Sequence, residues 1–342
     1  MAAVAVGYVT NYPEVTISGI RVNNSSVYIN RTATTGNAHA GLILGGAGNY
    51  VNNLTIDDCI VYNSTVTAAS KAYVYMGGIA AFTRQAVTIS NCSVIGGLLS
   101  GTSNGAISQG VMIGGITSLM SGGIATTHRS SIENVYVKTD ITFTSAGNAF
   151  AGGILGNATS SARVVSETIK NAWFAGAITG TAGANNYSGN MVGSAIESNV
   201  LYLENTYWDK SMNTYGAYSG VSTPLSMDPA NVKGLTTVEM VKTDASVGLS
   251  GIAPFNDTSV WGSSAPVGGR YYYPYLITGI HAGLTMAERP WTENPYNETT
   301  DPVFAGGGTE ADPFLIYNFD DLVRLSSVVN AGKTYGSWYS YA

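Results

Sequence analysis

The sequence has few charged residues, because only 11% of its 342 residues are Asp, Glu, Lys or Arg, against about 25% in typical soluble proteins. The net charge of −6 is mildly acidic and argues against nucleic-acid binding, which needs a basic surface. No apolar run approaches the roughly 18 residues that a membrane-spanning helix requires. Residues 1–7 also lack the basic region and apolar core of a secretion signal. We therefore expect no nucleic acid and no membrane span.

Patterns that carry common catalytic chemistry are also missing. The three histidines, His39, His128 and His281, fall in separate loops, and the acidic residues are scattered. There is no Asp-rich calcium loop, no His-Glu-x-x-His motif and no serine elbow with a plausible partner. We therefore expect no enzyme activity, no metal and no cofactor. Three or more carboxylates converging on one face would instead favour a polysaccharide-cleaving β-helix.

The sequence does contain a repeat, whose apolar anchors lie 39, 33, 43, 37 and 34 residues apart. Repeats of this length indicate a solenoid, a propeller or an array of modules. A propeller blade needs four strands, whereas each repeat here has three short β-prone parts, and the variation in length falls in the loops. We therefore predict an all-β parallel β-helix, or β-solenoid, of about six rungs over residues 1–209, with short capping helices. The six anchors are Ile17, Ile56, Ile89, Ile132, Ile169 and Leu203.

Two residues after each anchor stands a residue that tolerates a left-handed backbone. Because it recurs in every repeat, we predict a corner there, with the side chains forming a ladder of amide hydrogen bonds along the stack. The predicted corner residues are Gly19, Asp58, Asn91, Asn134, Asn171 and Asn205.

The next residue in each repeat is usually small or apolar, which predicts an inward column of the core. The column comprises Ile20, Cys59, Cys92, Val135 and Ala172. The only two cysteines of the chain occupy consecutive positions in it, so we favour buried packing of both thiols. A disulfide between adjacent rungs remains open on geometry, since neighbouring strands lie ~4.8 Å apart.

Each repeat closes with a glycine-led segment, such as Gly77–Ala80 or Gly152–Gly156, which we predict to be a strand. Polar loops of uneven length precede these segments. Because loops on a rigid scaffold often carry recognition, they are candidate binding loops for glycans or host ligands, although simple solvation explains their composition equally well. Representative loop residues are Asn37, Tyr73, Asn104, Asn148 and Tyr187.

These segments resemble the GLUG-repeat family of secreted and surface proteins. Stretches 87–94 and 152–156 are similar to its two repeat strands, and 204–209 to the close of its array. The Gly-Leu-Thr-Thr at 234–237, Trp261 and the Tyr-Pro-Tyr-Leu at 273–276 are similar to the segment that succeeds the array in that family. The resemblance implies a right-handed parallel β-helix in an extracellular or cell-surface protein, such as an adhesin or the non-catalytic region of an IgA-protease-type protein.

Beyond the repeats, residues 210–279 are predicted to close the array. Thr236 and Glu239 fit a capping box for a short helix at about 237–242. Trp261 and the tyrosines at 271–275 are expected to cover the end of the coil, where bare strand edges would aggregate; an aromatic shelf for glycans is the alternative. The Pro-punctuated stretch 280–305 is predicted to be a linker or a surface-hugging arm.

Residues 306–342 resemble the segment that caps the beginning of a GLUG-type unit, yet here they come after the array. The chain is therefore either a slice of a longer tandem protein or a subunit whose last segment docks on the first rung of another copy. The second alternative would build a filament, tube or sheath, because an open head-to-tail contact propagates. The docking candidates are Asp312, Phe314, Leu322, Leu325, Val328 and Trp338.

The sequence thus predicts a non-enzymatic extracellular β-solenoid with a structural or adhesive role. Its expected partners are other copies of itself and, alternatively, glycans or host-surface ligands bound by an adhesin module.

Overall fold

The computed structural model is built almost entirely of β-strands. The residues that it describes are 5–10, 14–33, 36–48, 53–84, 86–105, 110–122, 130–160, 166–196, 200–221, 225–242, 248–267, 270–293 and 295. Helices are α1 (Thr237–Val241) and the short 3₁₀ helices Leu249–Gly251 and Gly279–Gly283.

The strands alternate between long and short ones along the chain. Those of the first half are β1 (Glu14–Ser18), β2 (Arg21–Asn23), β3 (Ser26–Arg31), β4 (Ala38–Gly41), β5 (Asn53–Ser70), β6 (Val74–Gly77), β7 (Thr83–Arg84), β8 (Ala86–Ser103), β9 (Gly110–Gly114), β10 (Thr117–Gly122), β11 (Ser130–Ser145), β12 (Asn148–Gly152) and β13 (Leu155–Ser160). The remaining strands are β14 (Ser166–Phe174), β15 (Ile178–Ala182), β16 (Asn186–Gly189), β17 (Val192–Ile196), β18 (Val200–Asp209), β19 (Tyr218–Val221), β20 (Leu225–Met227), β21 (Val232–Leu235), β22 (Trp261–Gly262), β23 (Tyr271–Tyr272), β24 (Tyr275–Leu276) and β25 (Trp291–Thr292).

Three parallel sheets run along the stack and form a β-solenoid. The main sheet follows the path β1-β5-β8-β11-β14-β18-β20, the second sheet is β4-β6-β9-β12-β16, and the third sheet is β7-β10-β13-β17-β19. Strands that are neighbours in these sheets come from successive repeats and pair in parallel. The predicted β-solenoid is therefore confirmed.

The solenoid has about four complete turns rather than the six predicted rungs. Four turns, led by β5, β8, β11 and β14, place a strand in each of the three sheets. In the first turn the third sheet is represented by isolated parallel bridges, those of Leu44 to Ala80 and to Val6 and that of Ala47 to Val9. After β18 the described chain enters the third sheet at β19 without a strand in the second. Counting anchors overestimated the turns because the first and last anchors belong to these partial turns.

The corner residues adopt left-handed backbone, with φ between 49° and 53° for Asp58 and the four asparagines and 67° for Gly19. Amide groups join successive turns at 3.0–3.2 Å, from Asn205 to Asn171, from Asn171 to Asn134 and from Asn134 to Asn91. The ladder of hydrogen bonds does not continue to Asp58 in the next turn, because Asn91 donates to Asp57 at 2.9 Å and not to Asp58. The Asp58 carboxylate is hydrogen-bonded to a different part of the chain.

The predicted core column lies inside the solenoid. Cys59, Cys92, Val135 and Ala172 are buried in the main core, and Ile20 packs against it half-buried. Both cysteines are free thiols on paired positions of β5 and β8.

The glycine-led segments are corners between the second and third sheets, which corrects the prediction of one continuous strand over each; in 152–156, Gly152 ends β12 and Leu155 begins β13. Gly77 and Gly152 are the last residues of β6 and β12, and the chain bends directly after them. A Cβ atom at either glycine would clash with the carbonyl of the residue three positions later. Glycine is therefore required by the tightness of the bend.

Residues 248–267 and 270–293, here called the returning segment, run back along the outer face of the main sheet. They contact the last turn first, where Phe255 meets Tyr207 edge-on with ring centroids 5.6 Å apart. Further on, the Trp173 indole donates to the Pro274 carbonyl at 3.1 Å. Near its end, Glu288 forms an ion pair with Arg21 of the first turn. The segment therefore ties all turns together.

This path changes the interpretation of the residues after the repeats. The capping box of α1 is confirmed, with the Glu239 amide donating to Thr236 Oγ1 at 3.2 Å and the Thr236 amide donating to Glu239 Oε2 at 2.6 Å.

Trp261 and Tyr273 are 2% and 0% exposed, so they form no exposed shelf. They cover the side of the coil and not its end, because the outward aromatic rings of the main sheet offer more apolar surface to bury. The described part of 280–305 hugs the surface as an arm.

Glu167 faces the interior between Ser130 and Leu201 of the neighbouring strands. It is 0% exposed, and neither carboxylate oxygen has a hydrogen-bond partner among the described residues. Burial raises the pKa of Glu167 well above its ordinary value of 4.5. Protonation therefore favours the folded state, and this stabilisation is lost as the pH rises through the raised pKa.

We predict that Glu167→Leu raises the free energy of unfolding by roughly 2 kcal/mol at pH 8, because it removes an unpaired buried carboxyl group. The gain should be smaller at pH 5, where the wild-type group binds a proton. Urea unfolding at both pH values measures it. The control is Glu133→Gln, whose partly exposed ion pair with Lys170 should matter by less than about 1 kcal/mol. Equal or lower stability of Glu167→Leu at pH 8 contradicts the prediction.

Candidate functional site

The second and third sheets meet at an outward-facing angle, here called the external groove. The Tyr75 ring of the second sheet meets the Phe82 ring at the edge of the third, with centroids 5.4 Å apart. Toward the other end of the stack, a Cβ atom at Gly220 of the third sheet would clash with the Tyr187 ring. The two outer faces therefore pack toward each other across the angle.

Large side chains occupy one register position in each turn of the second sheet. The aligned residues are His39, Tyr75, Met112, Phe150 and Tyr187. Across the angle, seven residues later in four of the turns, stand Phe82, Leu119, Asn157 and Ser194. With strands ~4.8 Å apart, five positions extend over about 19 Å. The groove therefore carries a continuous row of rings and apolar side chains along the solenoid.

The middle of the groove is buried, and the rings at its ends are partly exposed. Met112 and Phe150 are 9% and 7% exposed, whereas His39, Tyr75 and Tyr187 are half-buried. His39 stacks on Tyr75 at 4.9 Å and Phe150 on Tyr187 at 5.2 Å between ring centroids. His39, Tyr75 and Tyr187 therefore each keep part of their side chain at the surface.

The groove carries little charge. Burial, with the nearby Arg31 and Arg84 guanidinium groups, lowers the pKa of His39 to about 4, so the imidazole is neutral at pH 7. Burial, with Tyr73 beside it, raises the pKa of Tyr75 to about 12, so the phenol keeps its proton. Arg84 lies over the Phe82 ring at 5.1 Å and, with Arg31, brings positive charge to that end of the groove. The rings of the row are therefore uncharged at pH 7, whereas the end near Phe82 is positively charged.

Two of the predicted binding-loop residues belong to this groove. Tyr73 lies beside Tyr75, with centroids 5.8 Å apart, and Tyr187 belongs to the row itself. Asn148 serves the scaffold, since its Oδ1 accepts from the Asn185 side chain at 3.1 Å. The Asn104 amide bonds to the Ser70 carbonyl at 2.9 Å. The Asn37 carbonyl accepts from Arg31 at 3.4 Å.

Sequence reasoning missed the other groove residues, although a signal for them exists. The row residue stands two positions before the glycine that ends each second-sheet strand, as Tyr75 does before Gly77 and Phe150 before Gly152. In three of the five repeats this position lies between the predicted loop and the glycine-led segment, so neither pattern includes it.

A second cluster joins Asp58, Ser93 and His281. Ser93 Oγ lies 2.9 Å from His281 Nε2, and His281 Nδ1 lies 3.3 Å from Asp58 Oδ1. Both Asp58 oxygens also accept from the Ile280 amide at 3.0 Å. Sequence analysis separated these residues because His281 is distant in the chain and reaches the array only through the returning segment.

The order of these contacts is that of a Ser-His-Asp hydrolase triad, but Ser93 is 0% and His281 1% exposed. The Tyr136 ring lies against the imidazole, with centroids 6.3 Å apart. A nucleophile without access to a substrate cannot attack one, so the geometry supports a structural lock. Asp58 binds the first amides of the 3₁₀ helix Gly279–Gly283 and holds the returning segment on the array.

Within the described residues, no three His, Cys, Asp or Glu side chains are grouped as metal ligands. The same residues contain no helix long and apolar enough to cross a membrane. The docking candidates Asp312, Phe314, Leu322, Leu325, Val328 and Trp338 lie outside the described residues.

No protein-family model, curated protein or solved structure matches the chain. The resemblance to the GLUG-repeat family therefore stays a prediction.

The lock predicts acid sensitivity. Burial lowers the pKa of His281 to about 4 despite Asp58, whereas an unfolded imidazole titrates near 6.5. The unfolded chain thus binds the proton first, and the stabilisation present above pH 6.5 is lost as the pH falls toward 4. The loss should be on the order of 3 kcal/mol.

We predict that His281→Gln, which cannot be protonated, makes the fall in unfolding free energy between pH 7 and pH 4 smaller by on the order of 3 kcal/mol. His39, whose pKa is also lowered to about 4, should contribute a fall of similar size, so His39→Gln is the matched variant. Urea unfolding followed by tryptophan fluorescence measures both. An unchanged pH dependence in His281→Gln would show that the lock does not titrate.

Proposed function

We propose that the chain is a non-enzymatic extracellular or cell-surface adhesive module that binds neutral polysaccharide along the external groove. The observation that carries this proposal is the in-register row between the second and third sheets, in which the rings at the two ends, His39, Tyr75 and Tyr187, are partly exposed. This proposal takes the adhesin alternative of the sequence analysis and places the ligand at a defined surface.

The chemistry of the row favours sugars. The face of an aromatic ring is electron-rich and packs against the polarised C–H groups on the apolar face of a pyranose. Tyr75 and Tyr187 also present phenol groups to sugar hydroxyls, and Tyr side chains lose little entropy on binding because they have few rotatable bonds.

The spacing of the row favours a polymer over a small molecule. The rings are fixed to strands of a parallel stack, so their separation is set by the backbone hydrogen bonds of the solenoid. A linear chain lying along the axis meets successive aromatic faces at both ends of the row. Neutral His39 and protonated Tyr75 favour an uncharged polymer.

We predict that the purified full chain binds at least one neutral polysaccharide in affinity electrophoresis. Tyr75→Ala and Tyr187→Ala should each weaken binding about fivefold, since a ring contact of about 1 kcal/mol is lost. Tyr28→Ala is the matched control, because Tyr28 is 68% exposed and lies on β3, outside the groove.

Thermal unfolding of each variant separates loss of binding from loss of fold. The proposal fails if no neutral polysaccharide retards the chain, or if Tyr28→Ala weakens binding as much as the groove variants do.

Head-to-tail assembly is the second candidate, favoured by the strand edges of the first turn. In the described part of the chain, β1, β2 and β3 pair only with β5, and β4 pairs only with β6. Unpaired edges are templates for another chain. A cap-like segment from a second copy, as predicted for residues 306–342, would cover them.

We predict that the full chain forms filaments or oligomers at high concentration, visible by electron microscopy and sedimentation. Leu322→Asp combined with Leu325→Asp should abolish them, because both changes place charge among the predicted apolar docking residues. Thr144→Asp is the control, because Thr144 is exposed and lies on β11 in the middle of the stack, away from the first turn. Discrete monomers of the unaltered chain at high concentration contradict this candidate.

A further inference from the structure

A cleft of about 300 Å³ separates the edge of the returning segment from the main sheet. It is distinct from the external groove, because its walls come from the outer corner of β5, β8 and β11 and from the residues around β25. The residues used in the argument are Tyr62, Asn63, Lys138, Asp140, Arg289 and Trp291. A volume near 300 Å³ lies at the lower end of the range for small-molecule sites.

A bulge in the main sheet forms the floor of the cleft. Gly96 and Gly97 have φ of 68° and 77°, and the register of β11 against β8 shifts between Lys138 and Asp140. A Cβ atom at Gly97 would clash with the Ser64 backbone. The bulge residues Gly96 and Gly97 line the cleft together with Lys138 and Asp140.

Lys138 brings a partly compensated charge to this cleft. Burial lowers the pKa of its ammonium group, although the Asp140 and Asp209 carboxylates oppose that shift, and among the described residues no carboxylate lies within ion-pair distance of it. Its one defined contact is with the Tyr273 ring, whose centroid is 5.7 Å from Nζ. A half-buried cation in this state favours a bound anion.

The two carboxylates near Lys138 accept hydrogen bonds from other groups. Asp209 accepts from the Tyr273 hydroxyl at 2.9 Å, from the Ser211 amide at 2.9 Å and from the Thr237 hydroxyl at 3.0 Å. Asp140 accepts from the Ala177 amide at 2.8 Å. Neither is positioned to satisfy the ammonium group.

Arg289 supplies the second cation. Its guanidinium lies over the Tyr275 ring at 4.6 Å and donates to Ser264 Oγ at 2.9 Å. Its Nε is buried and has no acceptor among the described residues. A buried donor without an acceptor is costly, so this group too favours an anion.

Aromatic rings complete the walls. Trp291 carries the Arg270 guanidinium on its ring at 4.4 Å, and Tyr62 bonds through its hydroxyl to the Ala287 carbonyl at 3.3 Å. These contacts fix both rings beside the two cations. The cleft thus combines flat apolar faces with a pair of anion-seeking groups and the amide of Asn63.

We infer that this cleft binds a carboxylate-bearing sugar residue, with the carboxylate between Lys138 and Arg289 and the sugar ring against Trp291. Asp140, at the rim, repels highly charged anions and leaves a single carboxylate as the better match. The inference does not rest on the external groove, which takes an uncharged ligand.

Titration calorimetry of the full chain with glucuronate, glucose and inorganic phosphate tests the inference. We expect glucuronate to bind at least about tenfold more tightly than either glucose or phosphate, as one good ionic contact of about 1.4 kcal/mol provides. Lys138→Gln should remove that advantage and Lys138→Arg should retain most of it. Lys170→Gln is the control, because Lys170 pairs with Glu133 at 2.8 Å on the surface.

Absence of glucuronate binding, or equal binding of glucose, overturns the inference. So does phosphate binding as tight as glucuronate binding, which would make the cleft a general anion site. Unchanged glucuronate affinity in Lys138→Gln, with the fold intact by thermal unfolding, also overturns it. Failure of Tyr75→Ala to affect neutral polysaccharide leaves this result untouched, because the two surfaces share no residue.

Discussion

The left-handed corner residue of each turn is the constraint on which the rest of the structure depends. An L-residue at positive φ is costly unless its side chain forms compensating bonds. Here Asn134, Asn171 and Asn205 form those bonds with the turn before. The same bonds fix the register of successive strands, so the interior columns align and bury their apolar atoms. A shift of one residue would turn each column outward.

Once the interior is closed, the outward columns decide what the molecule can contact. On the main sheet the outward column includes Tyr136, Trp173 and Tyr207, which are 0% exposed under the returning segment. The segment is held there by Asp58, which is the one acidic corner residue and the point where the amide ladder departs from its column. The repeat whose corner residue is acidic is therefore the one that holds the returning segment against the main sheet.

The sequence was sufficient to predict the β-solenoid, because the corner and core positions recur with the repeat and act through neighbouring turns. The capping box at Thr236 was also predictable, since it is local. The contact of Ser93 with His281 was not, because it joins residues 188 positions apart through a segment with no repeat. The external groove could be predicted from the sequence only in part. Its rows are periodic, but the angle between two sheets that brings them together is a tertiary feature.

The distribution of large rings bears on function. Mainly aliphatic side chains fill the interior of the solenoid, with Phe143, Phe174 and Trp208 among them, and neither Tyr75 nor Tyr187 belongs to that core. The rings on the main sheet are explained by the returning segment that covers them. In the external groove Phe82 and Phe150 are buried, whereas Tyr75 and Tyr187 are only partly covered by described residues, and partly exposed apolar side chains on a rigid surface are typical of interaction sites. Part of the surface of these rings therefore stays exposed after folding, and a ligand lying along the solenoid axis would bury it without rearranging the scaffold.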